Sequence, residues 1–165
     1  MTRHNTIYTL PVLRNEFRAL RDLKRERKTI IKGYTLPLKT LGDKLYKTKQ
    51  DLEKIKSPGI SDGLGGFVKD DNYNYLIQYK DELKDEIQRY IWINYSKYWE
   101  DMCECNARIA TVYYYLGKMN AMDRKFIEDF YINEKLNKRE VMERYNILNP
   151  KSLYRKADNI FRKLL

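Results

Sequence analysis

Residues that bind metals or carry out catalysis are scarce in this sequence. His4 is its single histidine, and its two cysteines, Cys103 and Cys105, stand two positions apart. Side chains at i and i+2 point to different sides of a helix, so neither a disulfide nor a shared metal site is predicted there. A zinc site would need several convergent ligands. We therefore predict a protein that is not an enzyme, with no catalytic site, no metal and no cofactor.

Long hydrophobic runs and phosphate-binding glycine loops are also missing. No stretch approaches the roughly 18 apolar residues that a membrane-spanning helix needs. Residues 1–13 lack the apolar core of a signal peptide. The pair Gly65-Gly66 belongs to neither a P-loop nor a dinucleotide-binding pattern. These absences predict a cytoplasmic protein with no membrane partner and no nucleotide site.

What the chain does have is an uneven excess of positive charge, with a formal net charge of +10. Residues 1–56 hold 15 Lys and Arg against 6 Asp and Glu, a net of +9. Residues 57–119 hold 7 against 10, a net of −3, and residues 120–165 hold 11 against 7, a net of +4. Basic ends around an acidic middle favour an anionic partner, nucleic acid first. The alternative is a solvated basic surface with no partner.

The spacing of apolar residues in the first third of the chain predicts helices. Residues 10–31 and 38–55 repeat at intervals of three and four, and the second stretch keeps the heptad seam of a coiled coil. Because Gly33 and Pro37 lie at their junction, residues 1–56 are predicted to form a basic antiparallel helical hairpin. Its outer faces either solubilise the hairpin or contact DNA phosphates.

The middle of the chain is predicted as a Gly-rich loop followed by a long helical segment. Residues 57–71 contain four of the seven glycines and read as a loop. Residues 72–119 form one long helix, or two with a break near Cys105–Asn106. The fold class is therefore all-α.

The segment 120–165 is the most specific part of the sequence. Residues 123–132 and 138–145 are predicted as two short helices. Asn146 tolerates the left-handed conformation that ends a helix. Asn149 then serves as an N-cap, with Pro150 opening a helix that runs to the C-terminus. This arrangement is typical of a helix-turn-helix, and the alternative is a plain helical hairpin whose outer face is basic.

The helix 150–164 separates an apolar stripe from a polar face. Arg and Lys side chains pair with guanine edges in the major groove, and Asn pairs with adenine. The residues predicted to contact bases are Lys151, Ser152, Arg155 and Asn159. Those predicted to contact phosphates are Lys138, Arg139, Lys156, Arg162 and Lys163.

The C-terminal segment resembles region 4 of sigma factors. The residues Glu140-Val141-Met142, Tyr145-Asn146 and Ile160-Phe161-Arg162-Lys163-Leu164 take the places of that pattern. Met142 stands where a small residue is usual and Asn146 where Gly is usual, and the turn is one residue longer. With the loop Ser61-Asp62-Gly63-Leu64-Gly65-Gly66, the chain is similar to phage-encoded transcriptional regulators of the autolysin-regulator and late-activator type. The resemblance implies a phage or prophage origin and control of late genes.

These observations lead to one hypothesis and two alternatives. The hypothesis is a sequence-specific transcriptional regulator that binds double-stranded DNA, with RNA polymerase or a second copy of the chain as a further partner. The first alternative is a DNA-packaging subunit like a small terminase, although the DNA-binding part of such subunits usually comes first in the chain. The second is a coiled-coil interaction protein that does not bind DNA.

Overall fold

The computed structural model describes residues 8–56, 71–133 and 135–165, and in these ranges the protein is all-α, as predicted. The predicted loop at 57–71 lies, but for Asp71, outside the described residues. A π-helical turn, Glu128–Ile132, continues the third helix directly. The five α-helices are α1 (Leu10–Lys56), α2 (Asp71–Lys118), α3 (Ala121–Ile127), α4 (Lys138–Arg144) and α5 (Pro150–Arg162).

The chain forms two compact units. The first unit combines the segment that ends at Lys28 with residues 102–165, and the second consists of residues 29–101. Both units contain a part of α1 and a part of α2, and these two helices pack against each other as an antiparallel hairpin. None of the described helices has the length and apolar character required to cross a membrane.

The hairpin predicted within residues 1–56 is wrong, because α1 continues through Gly33 and Pro37 without a turn. Proline has no N–H, so the carbonyl of Gly33 loses its usual helical partner, and the ring crowds that carbonyl. In the second unit the single O–H of Tyr90 is shared between this carbonyl, at 3.4 Å, and that of Tyr34, at 3.1 Å. A side chain of α2 thus supplies a hydrogen-bond donor where Pro37 removes one from α1. In the hairpin, α2 takes the place of the predicted second arm.

The central segment is one helix, which settles the alternative left open by the sequence. Helix α2 passes through Cys105–Asn106 without a break. Cys105 is buried, and its thiol donates to the carbonyl of Leu23 at 3.2 Å, whereas Cys103 is exposed. Both cysteines are free, and they lie on different sides of the helix as predicted.

The C-terminal helices were predicted to within a few residues. Helix α3 begins two residues earlier than expected, after the N-cap Asn120. Asn137 and Glu140 form a capping box at the start of α4, and Asn149 caps α5 with Pro150 in its first turn. Helix α5 ends at Arg162, slightly before the C-terminus.

The turn between α4 and α5 has a defined hydrogen-bond pattern. Asn146 adopts the left-handed conformation, with φ of 51°, as its sequence position predicted. The N–H of Ile147 donates to the carbonyl of Met142 at 2.8 Å, and the N–H of Asn146 donates to that of Glu143 at 3.3 Å. This pair of bonds is a Schellman motif, which closes the end of α4 and fixes the direction in which the chain leaves it.

Candidate nucleic-acid interface

The apolar face of α5 anchors that helix in the core of the first unit. Its buried residues are Leu153, Ala157, Ile160 and Phe161, four of the five apolar residues in the predicted stripe; the fifth, Leu164, is half-buried and follows the end of the helix. The ring of Phe161 lies 4.9 Å from that of Phe17 on α1 and 5.9 Å from that of Tyr131 in the π-helical turn. Contacts with two other elements therefore hold the orientation of α5, and its opposite face is directed outward.

The outward face of α5 borders an open groove of about 470 Å³, here called the α5 groove. Three of the four residues predicted to contact bases line it: Lys151, Arg155 and Asn159. Ser152 does not line it; this residue is half-buried, and its backbone N–H donates to the Asn149 side chain at 2.8 Å as part of the cap. The structure thus brings Lys151, Arg155 and Asn159 together along one groove, whereas Ser152 belongs to the cap at the start of the helix.

The charge of the α5 groove is almost entirely positive. Asp158 is the single acidic residue of α5, and two contacts of 2.9 and 2.8 Å pair it with Arg14 of α1. No carboxylate among the described residues pairs with Lys151, Arg155 or Arg162. The one negative charge is therefore neutralised, and three exposed cations remain available to an anion.

The five residues predicted to contact phosphates do not form one cluster. Arg162 lines the α5 groove. Lys156 lies 4.7 Å from the ring centre of Phe126 and 5.1 Å from that of Tyr145, and Lys138 lies 5.2 Å from that of Tyr154. The other two are engaged in ion pairs: Arg139 with Glu143 at 3.0 Å, and Lys163 with Asp123 at 3.4 Å.

A buried carboxylate that sequence reasoning did not single out holds α4 in place. Asp129 accepts from Arg144 at 3.0 Å, from the phenol of Tyr145 at 2.9 Å and from the amide of Asn133 at 3.4 Å. Burial acts to raise the pKa of Asp129, but these hydrogen bonds outweigh it and the pKa is lowered. Burial and the same carboxylate raise the pKa of Tyr145 to about 12.

The sequence contained only an indirect signal for Asp129. It lies one turn from Phe126 and beside Phe130, on a helix whose apolar residues face the core. A carboxylate in that position requires buried partners, and Asn133, one turn further along, is one polar candidate that the sequence offers. The sequence does not indicate the partners Arg144 and Tyr145, which lie 15 and 16 positions away. The pairing links the π-helical turn to the end of α4 and so helps to position the turn before α5.

Two arginines of α1 that were not predicted as site residues lie close to α5. The guanidinium of Arg18 is 5.7 Å from the ring centre of Tyr154, and Arg21 donates to the carbonyl of Asn133 at 2.6 Å. The sequence signal for these two arginines was the high positive charge of residues 1–56. It does not show which of the 15 basic residues reach the first unit's C-terminal helices.

The chain matches no protein-family model, no curated protein and no solved structure.

Proposed function

We propose that this protein is a sequence-specific double-stranded DNA-binding protein that places α5 in the major groove. The observation that carries the proposal is the composition of the α5 groove. A helix fixed by a buried apolar stripe presents Lys151, Arg155, Asn159 and Arg162 outward, and its one acid is neutralised from α1. An exposed helical face of Arg, Lys and Asn has the donors and acceptors that recognise base edges.

The roles proposed for these residues follow from their places on α5. Lys151, Arg155 and Asn159 occupy successive turns from the start of the helix, the part that enters deepest in helix-turn-helix proteins. In this proposal Arg155 and Lys151 recognise guanine and Asn159 recognises adenine. Arg162 lies at the far end of α5 and contacts a phosphate, which positions the helix without specifying sequence.

A role in transcription is the further part of the proposal. It rests on the resemblance of 120–165 to sigma region 4 and of the wider chain to phage late-gene regulators. The helix bounds, the Asn146 turn and the caps of α4 and α5 are compatible with that pattern. The proposal places the protein in the cytoplasm, acting on promoter DNA.

The test begins with selection of tight-binding duplexes from a randomised pool by the full-length protein. Fluorescence anisotropy then compares a selected duplex with a random one at two salt concentrations. We expect tighter binding of the selected duplex and weaker binding of both as salt rises. Failure to enrich any sequence, together with no salt-dependent binding, would overturn the proposal.

Arg155→Ala tests the role of α5 in that experiment. We expect a loss of about 1–3 kcal/mol on the selected duplex if Arg155 contacts a base. The loss on the random duplex should be smaller. Arg27→Ala, which removes an exposed charge from α1 outside the α5 groove, is the matched control and should bind as the wild type does. Equal losses on both duplexes would reassign Arg155 to a phosphate.

A protein-interaction role is the second candidate, and an exposed apolar strip in the second unit favours it. Trp92 of α2 is 88% exposed, and Ile93, Tyr95 and Trp99 are also exposed. Large apolar side chains exposed together mark surfaces that bind proteins. A second copy of the chain or RNA polymerase would suit such a strip. A sedimentation experiment with wild type and Trp92→Ser identifies self-association through this strip. If the wild type binds DNA without self-associating, the first proposal stands.

A further inference from the structure

A second groove lies beside α5, and it brings Lys138, which the sequence predicted to contact phosphate, together with residues of α1 that the sequence did not single out. It has a volume of about 200 Å³ and is here called the α1 groove. Tyr154 lines both the α1 groove and the α5 groove, so the two are neighbours on the first unit. The residues that line the α1 groove are Arg18, Arg21, Phe130, Tyr131, Lys138 and Tyr154.

The three cations of the α1 groove are held in place by contacts with uncharged groups. Arg18 and Lys138 lie over the ring of Tyr154, at 5.7 and 5.2 Å from its centre. Arg21 is anchored by its bond to the Asn133 carbonyl, which carries no net charge. No carboxylate in the described ranges forms an ion pair with any of the three. Other arginines of the first unit, such as Arg14 and Arg108, are paired with acids.

Two polar groups that line the α1 groove have unused hydrogen-bonding capacity. The hydroxyl of Tyr131 and the Nε of Arg21 are buried and form no hydrogen bond of normal geometry with a described residue. Burial raises the pKa of Tyr131, and the neighbouring Arg18 counteracts that rise through its charge and through hydrogen bonding to the phenol. Buried polar groups in native proteins nearly always have partners.

We propose that the α1 groove binds a backbone phosphate of the DNA strand flanking the major groove that α5 occupies. This inference rests on the proposed function. A helix in the major groove has a sugar–phosphate strand on each side, and the α1 groove lies on one side of α5. The groove offers Arg18 and Arg21 from α1 and Lys138 from α4, three cations around an aromatic wall. The N-terminal part of the chain therefore contributes directly to DNA affinity, and α1 extends the interface beyond residues 120–165.

The experiment measures the affinity of full-length Arg18→Gln and Arg21→Gln for a random-sequence duplex across a range of salt concentrations. Each phosphate contact contributes about 0.9 to the slope of log affinity against log salt. We expect each variant to reduce the magnitude of this negative slope by up to about one, because the groove holds one phosphate. Since affinity scales with salt raised to that power, one lost contact weakens binding on the order of tenfold at about 0.1 M salt. Arg27→Gln, on the same helix outside the groove, should change neither quantity.

Arg18→Lys separates charge from packing, because it keeps the cation and changes its shape. It should retain the wild-type slope, and circular dichroism should show the same helicity for all variants. An unchanged slope in both Gln variants, with wild-type binding present, overturns the phosphate site while leaving the proposed function standing. A weaker affinity with an unchanged slope also overturns it, because the arginine would then act by packing. Absence of duplex binding by the wild type would instead overturn the proposed function.

Discussion

At the scale of single residues, Asp129 connects elements that are close in sequence but need a precise relative orientation. Its side chain is buried, with 7% of its surface exposed, and accepts bonds from Arg144, Tyr145 and Asn133. A carboxylate in this setting stabilises the fold only while it is ionised and paired. Removing its charge would leave Arg144 without its anion and weaken the bond from Tyr145.

We predict that Asp129→Asn lowers the free energy of unfolding by about 1–3 kcal/mol at neutral pH, because it removes charge-assisted bonds to Arg144 and Tyr145. The pKa of Asp129 is lowered in the folded state, so its contribution is fully present above the unfolded value of about 3.9. The contribution is lost as pH falls through the lower folded value. Urea denaturation of wild type and variant at pH 7, 5 and about 3 should show the difference between them shrinking only at the lowest pH.

The control for that prediction is Asp43→Asn, which alters an exposed carboxylate on α1. Its effect should stay within about 0.5 kcal/mol at all three pH values. An Asp129→Asn variant as stable as the wild type at pH 7 would contradict the structural role given to this residue.

At the scale of elements, the largest departure from expectation is the continuity of α1. Gly33 and Pro37 are ordinary signals for a helix end, and local sequence favours a turn there. Tyr90, whose phenol donates towards the Gly33 carbonyl, lies 57 residues from Gly33 along the chain. A tertiary contact of this kind leaves no mark in the local pattern of α1. Elements whose ends depend on near neighbours, such as α4 and α5, were predicted well because their caps lie within three residues of the groups they bind.

A double-mutant cycle tests the compensation between Pro37 and Tyr90. Pro37→Ala restores a backbone donor to the Gly33 carbonyl, and we expect it to stabilise the protein by about 1–3 kcal/mol. Tyr90→Phe removes the phenol that serves this carbonyl and that of Tyr34, and should destabilise the wild type by about 1 kcal/mol. In the Pro37→Ala background the same change should cost less, because the Gly33 carbonyl then has a helical partner.

The four proteins of this cycle are compared by urea denaturation, and the coupling energy is read from the difference between the two Tyr90→Phe effects. Tyr98→Phe is a suitable control, because its ring stacks on Tyr34 at 4.2 Å and no hydrogen bond of its hydroxyl is part of the cycle. Additive effects of Pro37→Ala and Tyr90→Phe would show that the phenol does not compensate for the proline.

At the scale of the whole molecule, the first unit is assembled from both ends of the described chain. The sequence indicated which face of α5 is apolar and which is polar, and the structure confirmed that division at Leu153 and Phe161. It did not indicate that Arg14 neutralises Asp158, a contact that spans 144 positions. Nor did it place Arg18 beside Tyr154. Contacts of long sequence separation define the charge of the candidate site, and single-sequence patterns contain only local information.

The segment 120–165 should fold poorly in isolation, because part of its core is supplied by α1. In the full chain, Phe17 of α1 is fully buried, and its ring lies 4.9 Å from that of Phe161 and 6.2 Å from that of Tyr131. Burying one such aromatic side chain contributes about 3–5 kcal/mol, judged by the cost of truncating it to Ala. A segment without α1 exposes the apolar stripe of α5, so we expect low helicity, no cooperative thermal transition and weaker duplex binding than the full chain shows.

Adding a peptide of residues 8–28 provides the matching test, because it returns Phe17 together with Arg14 and Arg18. We expect the peptide to raise the helicity of 120–165 measured by circular dichroism, and a peptide with Phe17 replaced by Ala to do so much less. A segment 120–165 that unfolds cooperatively on its own and binds duplex as tightly as the full chain would contradict this view. In that case the DNA-binding surface would need neither the core residues nor the charges that α1 supplies, and the interface would end with α5.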